Sequence, residues 1–259
     1  MNGSVRAVSR GEIQDRSHAA STHLSCGPID GLPTLLEQSY RLRYQVYCLE
    51  RRFLPAECYP SGQEIDRFDR QSLHVGAMSP SGELVGTARA VKPSEMGLPV
   101  FEYCTPFPHE TEFDPANPRL VEVGRLAVDR RFLRRQRHAL SGVATTSPPA
   151  RPRAFRGREQ RRVGTDVLVT LLAAMYRETR RIGASHWLAA MEESLSSQLI
   201  ALGLPFRAFG PPSNYYGMIV PYQMALEEFE MVVHSDRFPG LQGLLASIRP
   251  KTLQAGKSN

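Results

Sequence analysis

Apolar residues fall at Leu32, Leu35, Leu42, Val46, Leu49 and Phe53, with Ser39 completing steps of three and four, so 32–53 reads as an amphipathic helix. A second stripe, Leu36, Tyr40, Arg43 and Tyr47, runs beside it and sets Arg43 and Tyr47 at the margin of the buried face. "SLHVGAM" and "ELVGTARAV" are β-like runs joined by "SPSGE", whose Ser, Pro and Gly form a hairpin turn. Residues 93–118 are irregular and rich in proline, and a strand is expected over 120–128. Helical periodicity resumes at Val163 and ends at Gly183. A strand at "SHWLAAM", a helix at "EESLSSQLIALG", strands in "PFRAFG" and "IVPYQMALEEF" and a last helix at "FPGLQGLLASIR" follow. The order predicts one α/β domain with a mixed sheet and helices against it, over 31–247, between polar tails 1–30 and 248–259.

Charges interrupt this pattern. Arg89, Glu122 and Arg125 stand inside apolar strands, and Glu64, Asp66 and Asp69 follow the first helix. Charges at core-facing positions are costly unless paired, and a single arginine–carboxylate network would satisfy Arg43, Arg89, Glu122, Arg125, Asp66 and Asp69 together. In "VEVGRLAVDRR" an even and an odd position should face opposite ways. Gly124 between the two charges offers a β-bulge that would bring Glu122 and Arg125 to one side.

The net charge of +6 is concentrated: eleven arginines stand against Asp129 and Glu159 between 129 and 162. With clustered prolines and no sustained period, 130–162 reads as a basic mobile insertion, a surface for an acidic partner, nucleic acid or an anionic membrane. No apolar run is long enough to span a bilayer, and the first thirty residues lack the apolar centre of a secretory signal, so a cytoplasmic location with at most peripheral membrane contact is expected. The four cysteines have no metal-ligand spacing and read as free thiols, and no metal is expected.

The ordered set "RYQVY" with Arg43 and Tyr47, then Phe53, "EIDRFD" with Glu64, Asp66 and Asp69, "GTAR" with Arg89, and "EVGR" with Glu122 and Arg125 resembles the acyl-homoserine lactone synthase family. It resembles equally that family's relatives, the N-acyl amino acid synthases and the exosortase (PEP-CTERM)-associated acyltransferases. "RLRYQVYCLERRFLPAECYPSGQEIDRFDRQSLH" and "HWLAAMEESLSSQLIALGLPF" are most similar to the exosortase-associated branch. Tyr47 and Phe53 stand where lactone synthases typically carry Phe and Trp.

The resemblance implies a GNAT-like acyltransferase fold, a mixed central sheet flanked by helices with a V-shaped cleft at a bulged strand. It implies transfer of a fatty acyl group from an acyl carrier protein or CoA thioester to the amine of an amino acid or similar small acceptor. The acyl-phosphopantetheine thioester is then a co-substrate, with no permanently bound cofactor. Glu122 would take the proton of the amine, and backbone amides between Arg125 and Val128 would stabilise the oxyanion. Arg89 and Arg125 complete the catalytic set, with Arg43, Tyr47, Phe53, Asp66, Asp69 and Phe101 as substrate-binding residues. Tyr215 and Tyr216 are candidates to protonate the leaving thiol. Arg161 to Asp166 partly echoes a phosphate-binding loop at a helix start. Arg134, Arg135 and Arg137 would dock acyl carrier protein, which is acidic. Two alternatives stay open: a lactone synthase using S-adenosylmethionine, and a non-catalytic nucleic-acid binder using the arginine segment, although the leading reading expects no nucleic acid.

Overall fold

The computed structural model describes residues 24–108, 114–115, 117–141, 153–215 and 217–233, with backbone alone between 137 and 163. The expected hairpin is β2 (Ser72–Met78) and β3 (Leu84–Val91). Its turn closes through the Gly82 N–H donating to Ser79 O at 2.9 Å, with Gly82 at φ +82°. β1 (Ser25–Pro28) pairs with β2, and β3 pairs with β4 (Leu120–Val128), all antiparallel. β4 then runs parallel to β5 (His186–Met191), and β8 (Met218–Ala225) lies antiparallel to β5. The short β6 (Arg207–Ala208) and β7 (Ser213–Asn214) pair with β8, giving the order β1-β2-β3-β4-β5-β8-β6 with β7 also on β8.

Alternation along β5 divides the apolar interior. Trp187, Ala189 and Met191 face a core shared with Val167, Leu171 and Met175, whereas Leu188 and Ala190 join Phe68, Leu98, Val100, Leu120 and Phe209. The helix behind the first core is α4 (Arg153–Arg181). It lies so close to β3 that a Cβ on Gly86 would stand 2.8 Å from Val167 and 3.0 Å from Leu171, so a side chain there would force those neighbours to shift. Trp187 is fully buried, and its ring N–H donates to Thr179 Oγ1 at 2.9 Å.

Helix α1 (Pro33–Tyr44) begins on the proline and passes into a π-helical stretch, Gln45–Glu50, in which Arg51 N–H donates to Val46 O at 2.9 Å. The wider turn shifts the expected stripe. Cys48 is buried, while Leu49, which the three-four period places inside, is 53% exposed.

The segment 130–162, expected as a basic mobile insertion, is helical at both ends among its described residues. β4 leads straight into α3 (Arg130–Ser141), capped by Asp129, whose carboxylate accepts from Arg131 N–H at 2.6 Å. α4 starts at Arg153, ten residues before the apolar period resumes. Arg, Ala, Gln and Glu are strong helix formers without being apolar, and Pro152 immediately precedes the helix, so propensity carries this turn where hydrophobic period is silent. Residues 142–152 lie outside the described residues, as do the N-terminal tail up to residue 23, the expected last helix and the C-terminal tail. Short helices α2 (Val100–Tyr103), α5 (Glu193–Ala201) and α6 (Leu226–Val233) complete the fold, α6 taking over "LEEF", which reads as the end of a strand. Among the described residues no helix is long and apolar enough to cross a membrane.

Candidate active site

The centre of the molecule is the parting of β4 from β5. Their ladder holds only for Leu120 to Glu122 against His186 to Leu188. Beyond it a cleft of about 160 Å³ opens, lined on one side by Glu122 to Leu126 and on the other by Ala190, Met191, Glu192 and Leu195. The cause lies on the other edge of β4. Thr87 pairs with Ala127 and Arg89 with Gly124, so two steps along β3 match three along β4. This is the expected bulge beside Gly124, but the left-handed residue is Arg125, at φ +49°. Glu122 and Arg125 therefore line the same cleft, and the parity conflict is resolved as anticipated.

A left-handed conformation in an arginine costs about 1–2 kcal/mol. Ion pairs hold it: Arg125 Nε lies 3.1 Å from Glu64 Oε1, and Nη2 lies 3.0 Å from Asp66 Oδ2. Arg43, in the last turn of α1, donates Nε to Glu64 Oε2 and Nη1 to Asp69 Oδ1, both at 2.6 Å. Arg89 donates Nη1 to Asp66 at 2.6 Å and to Asp69 at 2.9 Å. Three guanidinium groups and three carboxylates thus form one closed network. Asp66 and Asp69 stay three residues apart because they cap a short 3₁₀ turn reciprocally, Asp66 accepting from Phe68 N–H and Asp69 from Asp66 N–H.

Electrostatics follow from this arrangement. Burial pushes the Asp69 carboxyl up, but hydrogen bonds from His74 and Arg43 outweigh it and hold it well below the usual range. Asp66 is likewise held low, burial being outweighed by Arg89 and Arg125. Burial lowers the Arg43 and Arg125 guanidinium values, yet Glu64 with Asp69, and Glu64 with Asp66, raise them above the ordinary range. Glu122 is different. It is 8% exposed, one oxygen accepts the Val100 N–H at 2.6 Å, and burial pushes its carboxyl up to about 7 against the pull of that bond and of Arg89 and Arg125.

Of the residues anticipated from sequence, Tyr47, Phe53, Arg89, Glu122 and Arg125 line the cleft directly. Tyr47 donates its hydroxyl to Leu126 O at 3.0 Å and lies beneath the Arg125 guanidinium, 5.6 Å from the ring centre. Arg43 and Asp69 are buried behind the wall, and Asp66 joins Arg89 to Arg125. Phe101 is not among the lining residues; it packs in the second core, 6.3 Å from the ring of Phe209. Tyr215 lines the cleft and stacks on Tyr103 at 3.7 Å, and burial holds its phenol above the ordinary value. Tyr216 lies outside the described residues. Arg161 to Asp166 lies in the interior of α4, where no free helix N-terminus exists, so the phosphate-loop reading of that stretch is corrected. On α3, Arg134 is exposed, Arg135 pairs with Glu83 at 2.7 Å, and the Arg137 side chain is outside the description.

Sequence reading missed two parts. His74 extends the network, its Nε2 3.0 Å from Asp69 and its Nδ1 2.7 Å from Asp30. Burial lowers the imidazole, but Asp30 and Asp69 outweigh it and raise it above its ordinary value. No sequence pattern marks His74; the β2–β3 register sets it opposite Arg89. Arg51 and Glu192 also line the cleft and meet at 3.0 Å, joining the π-helical end to the start of α5, which no local pattern announces.

Residues 42–143 match the family model described as the acetyltransferase (GNAT) domain. Among solved structures, the CoA-dependent acyl-homoserine lactone synthase BjaI, solved with SAM and isopentyl-CoA, matches with a TM-score of 0.55 at 18% identity, covering 82% of this chain and 88% of its own. TofI, in a ternary complex with an inhibitor and MTA, matches at 0.54 and 18% identity, covering 84% and 98%. MesI, another CoA-dependent acyl-homoserine lactone synthase, matches at 0.51 and 21%, covering 81% and 92%. No curated protein sequence matches the chain significantly. The fold is that of a GNAT-like acyltransferase, a mixed, mostly antiparallel sheet flanked by helices.

Proposed function

We propose that this protein is an N-acyltransferase that moves a fatty acyl group from a phosphopantetheine thioester, on acyl carrier protein or CoA, to the amine of an amino acid or similar small acceptor. The observation that carries the reading is a carboxyl near pH 7, Glu122, facing a cleft at a bulged strand beside Arg89 and Arg125. A carboxylate whose value is raised to about 7 is a much stronger base than an ordinary one, which suits it to take the proton of an ammonium group near neutral pH. The amine then attacks the thioester carbonyl, and N–H groups between Arg125 and Val128 are the candidates to hold the oxyanion. Collapse forms the amide and expels the thiolate. A thiol titrates near 8.5, about 1.5 units above protonated Glu122, so return of the proton from Glu122 to sulfur is downhill. Tyr215, raised above the ordinary phenol range, is the poorer donor, and its stacking on Tyr103 suits the cleft wall better.

The arginine–carboxylate network fixes Arg89 and Arg125 at the cleft, and the stretches quoted above support the exosortase-associated branch. The test is incubation of the protein with acyl carrier protein and CoA thioesters, a pool of amino acids and S-adenosylmethionine, with products read by mass. An N-acyl amino acid without methylthioadenosine is expected. Methylthioadenosine would move the assignment to the lactone synthases. Glu122→Gln should lower turnover by about 10²–10⁴-fold with the fold intact; near-normal turnover removes Glu122 from its role.

A further inference from the structure

Three strand glycines differ in why they are glycine. At Gly86 and Gly76 an added Cβ would stand 2.8 Å from Val167 and 2.7 Å from Leu84, so a side chain would force those neighbours to shift. Gly124 has nothing within 4 Å of its Cβ position, and its backbone is not left-handed, so neither crowding nor conformation demands glycine. Its open space is part of the cleft. Glu122 is two residues back on the same face of β4, and Arg89 is its cross-strand partner. Arg89 is 3% exposed, and its Nε has no hydrogen-bond partner among the described residues. A space of side-chain size, flanked by a carboxyl near pH 7 and a buried guanidinium with an unpartnered N–H, is a seat for a small polar ligand.

Resting on the N-acyltransferase reading, we infer that Gly124 is a specificity-determining position: the volume its missing side chain leaves holds the amine-bearing carbon of the acceptor and limits the bulk that carbon carries. The acceptor competes for this volume and the acyl thioester does not. Side chains introduced at 124 therefore discriminate among acceptors by size.

The experiment compares the wild type with Gly124→Ala and Gly124→Val, using glycine, alanine, leucine and tyrosine as acceptors and octanoyl, dodecanoyl and hexadecanoyl thioesters as donors. Because the backbone at 124 accepts any residue, thermal midpoints should stay together, and Gly124→Ala provides the gentler variant. In Gly124→Val, kcat/KM for the bulkiest acceptor that the wild type uses should fall about tenfold or more relative to the smallest, with donor KM unchanged. An unchanged acceptor ranking overturns the inference, as does a rise in donor KM with acceptors affected equally, which would seat the thioester there. A wild type that acylates none of these amines overturns the underlying reading and this one with it. A wild type that acylates them while Gly124→Val keeps their ranking overturns the size filter alone.

Discussion

Glu122 links the chemistry to stability. Its folded value is raised, so the protonated form favours the native state; that contribution is complete below its ordinary value of 4.5 and lost as pH rises through about 7. Activity should run the other way, kcat/KM rising through about pH 7 as the base deprotonates. Glu122→Gln cannot ionise, and its amide oxygen can still accept the Val100 N–H. In denaturant melts it should match the wild type below pH 4.5 and exceed it above pH 7 by on the order of 3 kcal/mol. Asp69 has the opposite sign: its depressed value stabilises the fold above the ordinary carboxylate range, and this is lost as pH falls through its own value. Asp69→Ala strips Arg43 and Arg89 of a shared partner inside the protein, and should cost about 3–5 kcal/mol. A melt that shifts by less than the error of the measurement would show that water replaces the carboxylate. Residue by residue, much of this was readable. Arg89 and Arg125, placed inside apolar strands, called for partners that the acidic loop supplies, whereas His74 was hidden because a lone histidine in a strand carries no such contradiction.

At the scale of elements, strands were legible and helix ends were not. β2, β3, β4 and β5 carry mostly apolar runs bounded by turn residues, so burial itself writes them into the sequence. The first turns of α4 are rich in arginine and have no apolar stripe to read, and α3 carries only a short one, Phe132 and Leu133 with Ala139 and Leu140, among its arginines. The π-helical turn was invisible for a different reason: one extra residue per turn leaves composition unchanged and moves only the register. Its effect is to bury Cys48, expose Leu49, and deliver Tyr47, Arg51 and Phe53 to the cleft. Deleting Leu49 should remove the extra residue, so that this turn closes as α-helix while the residues after it keep their orientation. Because Leu49 is 53% exposed, the cores should survive, with far-UV circular dichroism unchanged. Acyl transfer should stay within a few-fold of the wild type, because Arg51 and Phe53 remain at the cleft. A loss of about tenfold or more would mean that the wall depends on the π turn itself rather than on the register it keeps.

Over the whole molecule, charge is divided rather than spread. The net +6 contains a local excess of nine positive charges between 129 and 162, so the remainder of the chain is slightly acidic. Some of the basic side chains are tied down, Arg130 to Glu50 and Arg135 to Glu83, while Arg131 and Arg134 stand exposed on α3. α3 follows β4 directly, so this basic surface begins one residue beyond the strand that walls the cleft. On the proposed function, such a surface would steer an acidic acyl carrier protein toward the cleft by long-range attraction, which acts on association rather than on the chemical step. Replacing Arg134, Arg135 and Arg137 with Gln should lower kcat/KM for carrier-protein thioesters about tenfold at low ionic strength, with kcat at saturation unchanged. The screening length falls from about 30 Å at 0.01 M salt to about 3 Å at 1 M, so the variant and the wild type should converge as salt is raised. Stopped-time assays across that range measure this directly. A triple variant equal to the wild type at low salt would show that these arginines do not dock the donor, whereas a salt-independent loss in kcat would show that α3 acts on the cleft itself.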